Sequence, residues 1–451
     1  MFDDPLYHVS MQDLDQIVWL ATFGDSNERP RCQWLLWEFA QANGVRPWSI
    51  NDLYMARGRG EVPNNFTVPA MNLRAMTYDV ARSVFRAALK LKVGAMIFEI
   101  ARSEMGYTFQ RPAEYVSAVL GAAVKEGYKG PVFIQGDHFQ VNGKKYAAGA
   151  ADREKELKAV RDLTAEAIAA GFYNIDIDTS TLVDLKQPTV TEQQRQNFER
   201  CAEYTRYIRS IEPKQLTISV GGEIGEVGKK NSTEEELRAF VDGYNKAVMG
   251  VRGISKISIQ TGTSHGGIVL PDGKLADVAI DFDTLTRLSK LAREQYGMAG
   301  AVQHGASTLP PEAFGKFAEC GACEVHLATE FQNMMYDAPA FPADLKKEIY
   351  HWLDSNAADE KVAGETQEQF YYKTRKKALG PFKEQLWKLA PNIDDAICGA
   401  LQTKFEFLFQ RLNVVNSYDM VLRTVKTAEI RREAPAGAMA TAKDDVKGLA
   451  D

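Results

Sequence analysis

Pro131-Val-Phe-Ile-Gln-Gly-Asp-His138 is a short apolar run that ends in a glycine and two residues able to carry chemistry. A run of this kind is what a strand buried on both faces looks like. Working outward from it, the pattern recurs at Thr67–Ala70, Ala95–Ile100, Asn174–Asp178, Leu216–Val220, Lys256–Thr261, Ala301–His304 and Cys323–Leu327. Amphipathic stretches between the runs predict helices over 77–92, 112–126, 152–170, 189–211, 233–248, 283–296 and 311–320. Eight strands with helical spacers fit the ~250 residues of an α/β (β/α)8 TIM barrel. A doubly wound open sheet shares the alternation, but no Gly-rich fingerprint follows the first run.

The barrel is expected over 66–340, with helical segments added at both ends. Residues 1–65 carry tryptophans and apolar positions at roughly helical spacing, among them Ile17, Leu20, Trp34, Leu36 and Trp37. The stretch from Arg57 to Asn65 has breaker composition and reads as a linker. Residues 341–432 read as a C-terminal helical extension, and 433–451, small and polar, as a flexible tail. Acids outnumber bases by 60 to 54, and no Lys/Arg stripe stands out, so nucleic acid is not an expected partner. No signal-peptide pattern opens the chain, and no apolar run approaches the ~20 residues of a membrane span. A cytoplasmic protein without membrane partners is the expectation. Cys320-Gly-Ala-Cys323 lacks the second pair of a zinc site and reads as two buried or partly buried thiols.

In a barrel, functional side chains collect at the C-terminal ends of the strands. Of six histidines, His138, His265, His304 and His326 fall there or within the last strand. Any one of them alone would read as a hydrogen-bonded core or surface residue. Together, flanked by Asp or Gly, they read as a metal centre, since three imidazoles with an open position form a catalytic arrangement. The glycines of His265-Gly-Gly and His304-Gly-Ala-Ser supply flexible backbone for an anion nest, with Gly266, Ser307 and Thr329 as candidate phosphate contacts. As structure alone, such glycines make tight βα turns. Asp137, Asp178 and Glu223 stand at strand ends as proton carriers or as supports that orient a ligand histidine.

These residues resemble the class II ketose-bisphosphate aldolases from about Val68 to Gln332. Six short motifs follow in the family's order: Val68-Pro-Ala-Met-Asn, Gly136-Asp-His, Ile177-Asp-Thr-Ser, Gly222-Glu-Ile-Gly, Gly262-Thr-Ser-His-Gly and His304-Gly-Ala-Ser. The resemblance implies that His138, His265 and His304 bind Zn2+ or another divalent metal, with Glu223 as a nearby or alternate ligand. It implies that Asp137 moves the proton at the aldehyde-derived oxygen. Gly266, Gly305, Ser307 and Thr329 would hold the dihydroxyacetone phosphate end. Ser103 would contact substrate, and Arg375 would reach a neighbouring subunit's second phosphate.

The sequence departs from the family in two places. Where the family has Asn-x-Asp-Thr on the last strand, this chain has His326-Leu-Ala-Thr. His326 would instead meet an anion or polar group of the substrate. The loop after the fifth run reads Gly228-Lys-Lys-Asn-Ser-Thr, so the family's proton-moving Glu is replaced by Glu226 or one of Glu234, Glu235 and Glu236, or is absent. The expected activity is reversible cleavage of fructose 1,6-bisphosphate to dihydroxyacetone phosphate and glyceraldehyde 3-phosphate. The alternatives are tagatose 1,6-bisphosphate, another sugar phosphate, or a non-catalytic subunit of an aldolase complex. A homo-oligomer, dimer or tetramer, is expected.

Overall fold

The computed structural model describes residues 11–225, 230–262, 280–307 and 309–435. Eight parallel strands close into a barrel: β2 (Val68–Asn72), β3 (Ile97–Ala101), β4 (Gly130–Gln140), β5 (Asn174–Asp178), β6 (Ser219–Glu223), β7 (Lys256–Ile259), β8 (Ala301–Gln303) and β9 (Glu324–Leu327). Each pairs with its successor, and β2 pairs with β9 to shut the ring. Helices between the strands cover the outside, so the apolar runs are buried on both faces. The fold is the (β/α)8 barrel that the eight runs predict.

β6 begins three residues later than the expected run at Leu216. The shift makes Glu223 the last residue of the strand rather than part of a loop. A ninth strand, β1 (Val45–Trp48), lies within the N-terminal segment read as helical. It runs parallel to Gly130–Phe133 of β4, the stretch that β5 leaves unpaired because its own register starts at Gln135. The strand is only four residues long and contains a proline and an arginine. Its conformation comes from a ladder with a strand some 85 positions away, so no local periodicity announces it.

The remaining N-terminal elements are helices, at Leu14–Phe23, Glu28–Ala42 and Asn51–Gly58. Arg57, the first residue of the expected linker, is buried beneath the barrel. Its guanidinium donates to the carbonyls of Asn64 (2.9 Å), Ala299 (3.0 Å), Gly321 (2.9 Å) and Ala322 (3.1 Å). At the other end, helix Pro391–Arg411 packs on helix Thr77–Leu91. The chain then returns to the N-terminal helices. Trp37 Nε1 donates to Ile430 O at 2.7 Å, and Glu38 accepts from Arg432 N and Arg431 at 2.9 Å each. One continuous apolar core runs from Leu14 to Val425. Among the described residues no helix is long and apolar enough to cross a membrane.

Candidate metal and substrate site

β4 decides how the site is built. Consecutive residues of a regular strand face opposite sides. Between Gly136 and Phe139 the register of β4 against β5 shifts, and His138 takes φ +41°. This bulge turns both Asp137 and His138 into the same cavity. Gly136 leaves room there, because a Cβ would come within 2.4 Å of the edge of the buried Phe139 ring.

Around this pair the ends of the other strands supply donors. His138 Nδ1 lies 3.2 Å from Asp178 Oδ2, at the end of β5, and 3.2 Å from Glu223 Oε2, at the end of β6. His304, immediately after β8, brings Nε2 to 3.8 Å from Asp137 Oδ1. Its ring centroid is 4.3 Å from that of His138 and 4.1 Å from that of His326. His326 Nδ1 is 3.2 Å from Asp137 Oδ1 and 3.1 Å from Glu99 Oε2. Three overlapping sets, His138–Glu223–His304, Asp137–His304–His326 and Glu99–Glu324–His326, each bring three ligand atoms within 4.8 Å of one another. His265, Gly266 and Glu226 lie outside the described residues.

The charge balance tests whether a cation fits. Glu99, Asp137, Asp176, Asp178, Glu223 and Glu324 converge here against the ammonium of Lys256 and the three histidines. Burial pushes Glu223 up to about 7, with Asp178 adding to the effect. Burial alone would lower His138, yet Asp137 and Glu223 hold its pKa well above the ordinary histidine range. Such a site demands positive charge at its centre. Mixed imidazole and carboxylate donors with room beside them suit a catalytic divalent metal. The residues present therefore fit the metal that the resemblance implies.

Beneath the donors lies a buried polar layer in strands that read as apolar. Lys256 Nζ donates to Gln135 Oε1 (2.7 Å), Asp176 Oδ2 (2.9 Å) and Glu324. Gln135 Nε2 donates to Glu99 (3.0 Å) and Glu324 (2.8 Å). Glu324 Oε1 lies 2.7 Å from His326 Nε2, and its other oxygen accepts from Tyr54 of the N-terminal segment. Burial raises Glu324, but Lys256 and His326 outweigh it and hold the carboxyl at about 2. Glu99, with no such ammonium against it, is pushed by burial to about 7. Burial would lower the Lys256 pKa, but Asp176 and Glu324 outweigh it and hold the ammonium well above the ordinary lysine range.

A cavity of about 530 Å³ opens above the donors. Ser103, Gly305, Ser307, His326 and Thr329 line it. Arg375 does not. Its guanidinium is buried against Asp337 (2.9 and 3.0 Å) and Asn333 (2.6 Å), which uses the fork that a neighbour's phosphate would need. Lys376 stands at the cavity instead, with Arg74, Arg102 and Lys145. Sequence reading missed these four, although Arg74 and Arg102 each follow a barrel strand directly enough for the strand-end rule to find them. Glu234, Glu235 and Glu236 lie at the start of helix Glu234–Val248, away from the cavity. Glu236 there closes a capping box with Thr233. Cys320 and Cys323 are free thiols, the first partly and the second fully buried.

The comparisons agree with this architecture. A probable tagatose 6 phosphate kinase from Sinorhizobium meliloti 1021 superposes with a TM-score of 0.52 at 14% identity, over 84% of this chain and 98% of that one. A fructuronate-tagaturonate epimerase from Cohnella laeviribosi gives 0.53 at 12% identity, over 77% and 81%. The fructose-bisphosphate aldolase from Campylobacter jejuni gives 0.49 at 17% identity, over 83% and 97%. At such identities the first two likenesses speak to the fold alone, and the third superposition is too loose to add to them. No curated protein sequence matches the chain significantly. The family model described as fructose-bisphosphate aldolase class-II, however, matches residues 62–385, most of the chain and the whole barrel. The chain belongs to the class II fructose-bisphosphate aldolase family.

Proposed function

We propose that the protein is a metal-dependent aldolase that reversibly cleaves a phosphorylated ketose, with fructose 1,6-bisphosphate as the first candidate substrate. The observation that carries this reading is the position of Asp137 in the cavity, beside the His138–Glu223–His304 donors. His138, His304 and Glu223, joined by His265, would hold the metal. When bound, a divalent ion such as zinc would supply Lewis-acid stabilisation of the charge that develops on the ketose oxygen as the carbon–carbon bond breaks. Asp137 would take the proton from the hydroxyl that becomes the aldehyde and return it in the synthetic direction. His326, 3.2 Å from Asp137 Oδ1, fixes the direction in which that carboxylate points. Ser103, Gly305, Ser307 and Thr329 would orient the substrate from the cavity walls. Glu226 is proposed as the base at carbon.

The test is cleavage of fructose 1,6-bisphosphate by the purified protein, before and after EDTA, and again after zinc or another divalent metal is restored. Activity lost to the chelator and regained with metal is the expected result. Tagatose 1,6-bisphosphate and a hexuronate belong in the same panel, because the His326 layer differs from the family pattern and one fold neighbour bears an epimerase name. Failure of every ketose phosphate to react, with no metal bound, would favour the non-catalytic subunit.

A further inference from the structure

Three consecutive cations, Arg375, Lys376 and Lys377, form a tight turn in the C-terminal extension. Two of them are structural. Arg375 is bidentate with Asp337, and Lys377 pairs with Glu360. Lys376 has no ion pair or hydrogen bond among the described residues, and it lines the cavity with its Nζ 5.9 Å from the Tyr107 ring centroid. The turn that carries it is braced from several sides. Tyr336 Oη donates to Arg375 O at 3.1 Å, and Gly380 N donates to Tyr107 O at 3.0 Å. A Cβ on Gly380 would collide with that same Tyr107 carbonyl, so the turn is seated against helix Arg102–Thr108.

Across the cavity wall, Arg74 follows β2. Its Nε and Nη2 are held by Glu104 Oε1 at 2.8 and 2.6 Å. Glu104 is in turn held by Asn72 and by the Ala101 N–H at 2.8 Å. Arg74 Nη1 is left toward Thr329 Oγ1, 3.4 Å away. On the same wall, Ser307 Oγ accepts from Ala328 N at 2.6 Å and keeps its own hydroxyl proton to donate. The two cations act on each other as well. Burial lowers the Lys376 pKa, and the nearby Arg74 lowers it further. Glu104 compensates Arg74, whereas Lys376 is held beside that guanidinium without an ion pair of its own, and an anion between the two would relieve its desolvation and their repulsion.

We propose that Arg74 and Lys376 form an oxyanion subsite on the Thr329 wall that binds the phosphate monoester of the substrate, with Lys376 supplied by the C-terminal extension of the same chain. The inference rests on the aldolase reading for the identity of the substrate, but not for the existence of the subsite. It gives the extension a part in recognition and makes a neighbouring subunit's Arg375 unnecessary for holding this group.

The test uses the full-length protein and two readouts. Calorimetric titration with inorganic phosphate reads the subsite whether or not the enzyme turns over. Steady-state kinetics with fructose 1,6-bisphosphate reads its use. Lys376→Gln and Lys376→Glu should weaken phosphate binding about 10–100-fold, the range expected for loss of a charge-assisted hydrogen bond. KM should rise by a similar factor, with kcat within about threefold. Lys376→Arg should restore most of both, and Lys377→Gln should change neither. Phosphate binding by Lys376→Glu as tight as wild type, or no phosphate binding by wild type, would overturn the proposal. So would Lys376-dependent binding of glucuronate in preference to phosphate, which would make the recognised group a carboxylate. Lysine-dependent phosphate binding in a protein that cleaves no ketose phosphate would sink the aldolase reading and leave the subsite standing.

Discussion

Asp137 and His138 are chain neighbours whose side chains share one cavity because β4 bulges beneath them. Their substitutions should therefore have separable effects. His304→Ala removes a nitrogen common to two of the three candidate donor sets, including the one beside Asp137 that is proposed to hold the metal, so metal content and activity should fall together, as metal analysis of the purified variant would show. Asp137→Asn keeps the shape and leaves His138, Glu223 and His304 in place. It should retain metal and lose about 10²–10⁴-fold in kcat, the usual worth of a positioned proton carrier. An Asp137→Asn enzyme with full turnover would remove this residue from the mechanism. At this scale His138, His304 and Glu223 were legible, because rare residue types recurred at strand ends. Lys256, Glu99 and Glu324 were not, because one charged residue inside an apolar strand carries no sign of the partner it will meet across the barrel. Their pairing exists only once five strands have closed around them.

At the scale of elements, the helices over 77–91 and 391–411 show how far local pattern reaches. The first was legible from its own apolar spacing and the second only as part of a helical extension over 341–432, whereas their contact, some 300 residues apart, was not legible at all. That contact has an electrostatic consequence. Asp79 on the first helix is pushed from an ordinary 3.8 to about 7, chiefly by burial and then by Asp394 on the second, with Arg82 only partly opposing. A carboxyl whose folded pKa is raised stabilises most while it is protonated in both states. That contribution is fully present below about pH 4 and is lost as pH climbs through about 7. Asp79→Asn should therefore raise the thermal midpoint at pH 8 by the equivalent of about 1–3 kcal/mol and leave it nearly unchanged at pH 4. Equal melting of the two proteins at both pH values would place Asp79 in water and dissolve the argument. β1 is the converse case, a strand that exists because β4 has an open edge and not because Val45-Arg-Pro-Trp48 favours one.

For the whole molecule, the barrel alone is an incomplete object, and the extensions complete it in different ways. The N-terminal segment supplies β1, the Arg57 anchor beneath the strands and the Tyr54 hydroxyl on Glu324. The C-terminal segment first sends Lys376 to the cavity and only later, through Ile430 to Arg432, clasps the N-terminal helices. Sequence reading recognised both segments as additions, but composition says nothing about what an added helix will touch. These contacts separate recognition from stability. Deleting residues 428–451 would strip the Ile430 carbonyl from the buried Trp37 indole and leave Glu38, 3% exposed, without the Arg431 and Arg432 donors. Leaving buried polar groups unsatisfied costs about 1–3 kcal/mol each, so the truncated chain should melt several degrees lower at a fixed scan rate. Its kcat and KM below that temperature should match the full chain, because the clasp touches neither the donors nor the basic wall of the cavity. A truncated chain that melts normally but binds substrate poorly would reverse the assignment, and the end of the chain would then belong to the site and not to the scaffold.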